Sequence, residues 1–364
     1  MSASLQLGRY AGIKVQIHWT FWLLFIFIAF LVFANDGTWI DLFWHSVFIL
    51  ALFLCVVFHE FGHALAARRY GIGTRNITLL PIGGVANLKE IPDNPKEELV
   101  IALAGPAVNV VIALLLYPFV PLDQFLIDDP ELLEERLTGI TSDNFIFYLF
   151  AMNIALVAFN MIPAFPMDGG RVFRALLATR MSRVRATRAA TALGKFMALL
   201  FFLVGLFTNI LLVIIAVFIW FGAHSENIAI QQLSLLEGND VRDAMITDFT
   251  IIKPTDSLQN VIDRILESTE QDFVVAENEN VLGILYMADL SVALREKGRD
   301  EVVENVMEKN IIKLNAGDPL PTAYKQLKRG NKNFFPVMEN GRLVGVLDMN
   351  NINEFLNFRA AYDY

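Results

Sequence analysis

Six apolar stretches, at roughly 17–34, 43–67, 97–119, 142–163, 189–207 and 209–228, dominate the first two thirds of this sequence. Each approaches the length of about 20 apolar residues that a helix needs to cross a bilayer. Lipid leaves no backbone group unpaired, so such stretches fold as helices rather than as loops or open sheets. A polytopic α-helical membrane domain with six transmembrane helices is therefore expected over residues 1–232. Composition agrees: 55% of the 364 residues are apolar and 18% are charged, whereas a soluble domain carries about 45–50% and 25%. The first stretch follows Arg9 and Lys14 without a small-residue cleavage site after it, which reads as a retained span. Cys55, the single cysteine, lies inside an apolar run and reads as core packing.

Charge orients the spans. Basic residues follow the second stretch (Arg68, Arg69, Arg75) and the fourth (Arg171, Arg174, Arg180, Arg183, Arg185, Arg188, Lys195), whereas the segment from Asp123 to Glu135 is acidic. Since basic loops stay in the cytoplasm, the pattern predicts a multi-pass protein of the cell membrane with both termini cytosolic and Asp123–Glu135 outside. The overall charge of −9 argues against a nucleic-acid partner held by phosphate neutralisation. Between the second and third stretches, residues 74–88 are rich in β-formers around Pro81, Gly83 and Gly84. A small β-hairpin at the membrane surface is expected there, and residues 12–17 alternate in a way that could add a strand.

Residues 237–364 are different. They hold 14 basic and 22 acidic residues, against 15 and 16 in the preceding part, and they repeat. At an offset of 62, Val241 matches Val303, Met245 matches Met307, Asp256 matches Asp318 and Gly283 matches Gly345. Two β-α-β units of about 60 residues are indicated, each too small to bury its apolar face alone. The expected division is a linker at 233–239 and repeats at 240–298 and 299–358, forming one soluble α/β domain.

His59-Glu-Phe-Gly-His63 is an H-E-x-x-H motif at the end of an apolar run. One helical turn separates the two histidines, so both imidazoles share a face and can grip one Zn²⁺ while Glu60 stands beside a water. Ionisable groups at membrane depth are costly and by default functional. A catalytic zinc needs a third protein ligand. His18, His45 and His224 lie near span ends beside Trp19, Trp44 and Trp220 and read as interfacial residues. Asp168 is the better candidate: it follows Pro163 and Pro166, which interrupt the helix, and precedes Gly169-Gly170, which permit a turn.

These residues resemble the site-2 protease family of intramembrane zinc metalloproteases. The resemblance rests on His59–His63, on the run from Asn160 to Arg171 around Asp168, on Gly105-Pro-Ala-Val-Asn109, and on Gly83-Gly84 of the hairpin segment. It implies one Zn²⁺ per chain held by His59, His63 and Asp168, with Glu60 as catalytic base and Asn160 as a polar group near the reacting carbonyl. Its substrates would be membrane-anchored proteins within the lipid bilayer, such as a single-span anti-sigma factor, cut in regulated intramembrane proteolysis. The repeat resembles a tandem pair of CBS domains, a fusion found in one prokaryotic branch of that family. Such pairs bind adenine nucleotides or form homodimers. The nucleotide-contacting turn is degenerate here, with Tyr286 and Asp348 at the hydroxyl position and Asn351 in place of Asp, so Asp289 alone is left as a ribose ligand. The competing class is a transporter or channel gated by the CBS pair, in which the intramembrane His, Glu and Asp would bind ions. It gives no reason for Glu60 between the histidines.

Overall fold

The computed structural model describes residues 4–81, 83–88, 92, 94–121, 139–267, 270–278, 280–329 and 333–362. The chain divides into two compact units, 1–228 and 229–364. The acidic loop from Asp123 to Glu135, for which an outside location is expected, lies outside the described residues.

The first unit begins with β1 (Ser4–Tyr10) and β2 (Ile13–His18), followed by α1 (Trp22–Ala34) and the long α2 (Trp39–Arg69). Next come β3 (Thr74–Leu80), β4 (Gly83–Leu88), α3 (Pro95–Leu116), α4 (Phe145–Asn160), the short α5 (Asp168–Ala178), α6 (Arg183–Thr208) and α7 (Ile210–Leu236). Thr38 and Asp41 close a reciprocal capping box at the start of α2. Asn94 caps α3, with Pro95 at its first position and Glu97 and Glu98 in its first turn, where the helix dipole favours them. Among the described residues four helices are long and apolar enough to cross a membrane: α2, α3 with the turn after it, α6 and α7. The other two apolar segments, Trp19–Ala34 and Phe145–Asn160, are shorter. The second of these ends at Asn160, three residues before the stretch read from hydropathy, because the Pro163–Pro166 segment cannot continue the helix.

The four strands form one sheet in the order β1-β2-β3-β4. β1 and β2 pair antiparallel, β2 runs parallel to β3, and β3 and β4 form an antiparallel hairpin. Ile13 and Ile77 pack against Ala64 of α2, so the sheet leans on the helix that carries the histidines. Among the described residues only β3 pairs with β4, which leaves the far side of β4 as an edge there.

In the second unit, two three-stranded sheets repeat one another: β5 (Ile251–Ile252), β6 (Phe273–Glu277) and β7 (Asn280–Leu285), then β8 (Leu314–Asn315), β9 (Phe334–Glu339) and β10 (Arg342–Asp348). Each has the same parallel and antiparallel pairings, with helices α8 (Leu258–Glu267) and α9 (Met287–Glu296) in one copy and α10 (Leu320–Arg329) and α11 (Met349–Tyr362) in the other. The copies exchange their leading segments. Val241 N–H donates to Asp318 O and Val303 N–H to Asp256 O, the same bond at the 62-residue offset. Gly283 and Gly345 face Met307 and Met245 of the opposite leading segments, so closely that a Cβ would lie 2.8 Å from either sulfur. The 233–239 segment, expected as a linker, is instead helical through Leu236, which is buried with Val241, Leu314 and Leu320. Leu233, Leu235 and Leu236, at the end of α7, belong to the second unit and pack in its own core.

Candidate metal centre

One turn of α2 aims the Nε2 atoms of His59 and His63 at a common point, 3.1 Å apart. Asp168 Oδ2 stands 3.1 Å from each. All three side chains are buried, at 5–7% exposure. Among the described residues they are the one group of His, Cys, Asp and Glu whose ligand atoms converge enough to hold a metal ion. Tetrahedral ligands at about 2.1 Å from zinc would be about 3.4 Å apart, so the donor set fits with an adjustment of a few tenths of an ångström. His18 and His45 bond locally to Thr20 and the Asp41 carbonyl and are not part of the group.

Asp168 reaches this place differently from expectation. The segment after α4 leaves helical form, but Gly169-Gly170 do not make a turn: Asp168 is the first residue of α5 and the glycines form its first turn. Their role is steric. A Cβ on Gly169 would meet the Ile162 carbonyl at 2.3 Å, so the loop before α5 folds back tightly onto its start.

The other ring nitrogens are also engaged. His59 Nδ1–H donates to Asn109 Oδ1 at 2.5 Å and His63 Nδ1–H to the Ile101 carbonyl at 2.7 Å, both on α3. With the protons placed on Nδ1, both Nε2 lone pairs face inward, as metal ligation requires. Asn109 in turn donates to Asn153 Oδ1 on α4 at 2.8 Å, and Asn153 donates to the Leu149 carbonyl. Sequence reading took Asn109 as part of a motif. It missed the relay, because nothing in the spacing of 59, 109 and 153 shows that they meet. Asn109→Leu is expected to weaken metal binding about 10- to 100-fold, as read by competition with a chelator.

Glu60 points the other way from the same helix. Its Oε2 accepts the amide N–H of Ala86 on β4 at 2.9 Å, and Gly84 lies so close that a Cβ there would sit 2.8 Å from the Glu60 side chain. Glu60, His59, Gly84, Asn160 and Phe159 line a cavity of about 260 Å³. Asn160 is therefore brought to the site, at the end of α4.

A second group escaped the sequence reading. Arg174, two turns after Asp168 on α5, is 1% exposed. Its Nε donates to Glu98 on α3 at 2.8 Å, it pairs with Glu226 on α7, and its guanidinium lies 4.9 Å from the centre of the Phe165 ring. Arg183 adds a bond to the second Glu98 oxygen. The arginine had been counted among cytosolic loop charges, since a hydropathy pattern cannot show which member of a basic cluster folds inward. Arg174→Leu would leave the buried Glu98 and the half-buried Glu226 short of a partner. It is expected to cost about 3–5 kcal/mol, seen as a lowered midpoint in thermal unfolding in detergent.

In the second unit a cavity of about 380 Å³ is lined by Glu270, Asp272, Asp348, Asn351 and Glu354, among others. Burial pushes the Asp272 carboxyl above its usual range, and the nearby charges of Asp348 and Asp289 push it the same way. Asp348 and Asn351 cap one another's backbone N–H groups at the start of α11. Asp289, the expected ribose ligand, is not among the residues that line this cavity.

Comparison with known proteins follows the same division. The model of peptidase family M50 matches residues 47–126 and 126–204, and that of the CBS domain matches 241–296 and 303–357. Zinc metalloprotease MJ0392 of Methanocaldococcus jannaschii is 31% identical over 355 residues, which cover 97% of this chain and 96% of that protein. The putative zinc metalloprotease Rip3 of Mycobacterium tuberculosis is 31% identical over 268 residues, 67% of this chain and 64% of its own. A solved structure of the site-2 protease from M. jannaschii shares 36% identity, covers 62% of this chain and 95% of its own, and superposes with a TM-score of 0.46. A buried His-Glu-x-x-His and Asp cluster among apolar helices, together with near full-length similarity to a zinc metalloprotease, places the chain in peptidase family M50, the site-2 protease family, as a metalloprotease that carries a CBS domain pair.

Proposed function

We propose that this chain is a zinc endopeptidase that cuts membrane-anchored proteins within or near their transmembrane segments. The observation that carries this reading is the convergence of the ligand atoms of His59, His63 and Asp168, with His59 and Glu60 at the wall of one cavity. The apolar segments are read as six crossings with both termini in the cytosol, and residues 74–88 as a hairpin at the membrane surface.

His59, His63 and Asp168 would hold the zinc. When bound, zinc supplies a Lewis acid and lowers the pKa of a water to about 7. Glu60 accepts the proton of the attacking water and returns it to the departing amine. The Asn160 amide, on the same cavity, donates to the oxygen that becomes negative as the carbonyl is attacked. In an intact helix the carbonyl is bonded and screened by side chains, so the substrate must be extended locally. The free edge of β4 beside Glu60 suits an added strand.

The CBS pair is read as a regulatory module. The acidic lining of its cavity disfavours a phosphate there, and calorimetry of the full chain against Asp289→Ala decides between an adenine nucleotide held by Asp289 outside that cavity and a pair that serves as a dimer contact.

The main reading is tested by elemental analysis of the purified chain together with comparative membrane proteomics of cells producing the wild type or Glu60→Gln. One zinc per chain in both proteins, with single-span fragments accumulating only in the variant, is the expected result. Equal fragment patterns would overturn proteolysis and return the ion-binding transporter to consideration.

A further inference from the structure

Beyond the metal centre, β4 borders a second cavity. Residues 83–85 line the cavity that holds His59 and Glu60, and residues 85–88 line an adjoining one of about 250 Å³, with Val85 common to both. The two cavities differ in chemistry. Val56, Leu156, Phe159 and Phe218 make the first largely apolar around its polar groups. The second is walled by Glu98, Arg171, Arg174 and Glu226.

Both carboxylates in that wall are already bonded, Glu98 to Arg174 and Arg183, and Glu226 to Arg174. Arg171 differs. It is exposed and makes no hydrogen bond or ion pair among the described residues, although its charge is felt by Asp168 and Glu226. It stands three residues after Asp168 on α5, and among the described charges of this lining its guanidinium is the one whose donors are not bonded. A strand advances about 3.3 Å per residue, so Leu88 lies about 7 Å along β4 from Ala86, whose N–H meets Glu60.

We propose that this second cavity is a subsite for an acidic substrate side chain, held by Arg171 two to four residues from the scissile bond. The proposal deepens the protease reading above and rests on it, since it needs the substrate laid along the edge of β4. Antiparallel pairing, the more frequent mode, puts the acidic residue on the N-terminal side of the cut. The guanidinium presents its donors in a planar fork that matches a carboxylate. The preferred substrate has an apolar residue at the cut and an Asp or Glu two to four residues before it, the composition of a transmembrane segment where it meets an acidic flank.

The test uses the full-length zinc-loaded enzyme in detergent micelles and a peptide library made by digesting a bacterial proteome, with cut sites read by mass spectrometry. Wild type and Arg171→Lys should cut sites with Asp or Glu at one fixed position two to four residues away about tenfold better than sites with Asn or Gln there, as a charge-assisted bond implies. Arg171→Glu should reverse that choice towards Lys and Arg at the same position. An identical cut profile in wild type and Arg171→Glu, with no charge preference, overturns the subsite. Wild type and Glu60→Gln giving the same peptides, with no cuts in either, would instead defeat the protease reading on which the subsite depends.

Discussion

Replacing Gly105 by Ala is expected to empty the metal centre and reduce cleavage by about 100-fold or more. Gly105 lies on α3 against both imidazoles: a Cβ there would sit 2.2 Å from His63 Nε2 and 2.7 Å from His59 Nε2, where ordinary contacts begin at 3.4 Å. The added methyl must therefore push a ring or the helix by more than an ångström. The rings cannot yield easily, because their other nitrogens are bonded to Ile101 and Asn109 of the same helix that brings in the methyl. Backing α3 away breaks those bonds, and the packing of Gly62 of α2 against the Ala104 carbonyl opens as well. An ångström of misplacement at a reacting centre costs about 100-fold. Metal content per chain and turnover of the same preparation check this. Full zinc occupancy with wild-type turnover in Gly105→Ala would show that α3 is not held against the rings as described.

Glu60→Gln should produce the opposite pattern, with the metal retained and turnover lost. The glutamine is nearly isosteric, and its carbonyl oxygen can still accept the Ala86 N–H that holds Glu60 at 2.9 Å. Among the described residues the ligand atoms of His59, His63 and Asp168 make no hydrogen bond to Glu60, so the substitution leaves their contacts with one another in place. What disappears is the proton acceptor. General-base catalysis contributes about 10²- to 10⁴-fold, and because the same group would also return the proton to the amine, a loss near the upper end, about 10⁴-fold, is expected in kcat. Residual turnover within tenfold of wild type would assign the base to another residue. Together the two variants separate holding the metal from using it.

The candidate site was legible in the sequence to the extent that its chemistry is local. His59 and His63 are one turn apart, so any helix brings them together, and Glu60 between them follows from the same turn. Asp168 was reachable because two prolines end the preceding apolar run, although the path it takes, opening a helix rather than sitting on a loop, depends on the Ile162 carbonyl pressing on Gly169. The 62-residue repeat was likewise visible, since each copy carries the same residues at the same spacing. That the copies exchange their leading segments was not visible, because Val241 bonds to Asp318 rather than to its own copy.

By itself the sequence determined the apolar helices, the turn that pairs His59 with His63 and the repeated acidic domain, all of which arise from residues within a few positions of one another or from composition. Only the tertiary structure decided which distant groups share a site. The Asn109–Asn153 relay, the contact of Gly105 with the histidine rings, and the burial of Arg174 between Glu98 and Glu226 join residues 42 to 76 positions apart. No local periodicity encodes such meetings. They follow from helices packing closely enough that a polar group without a partner would be costly, which makes each partner necessary only once the fold has formed.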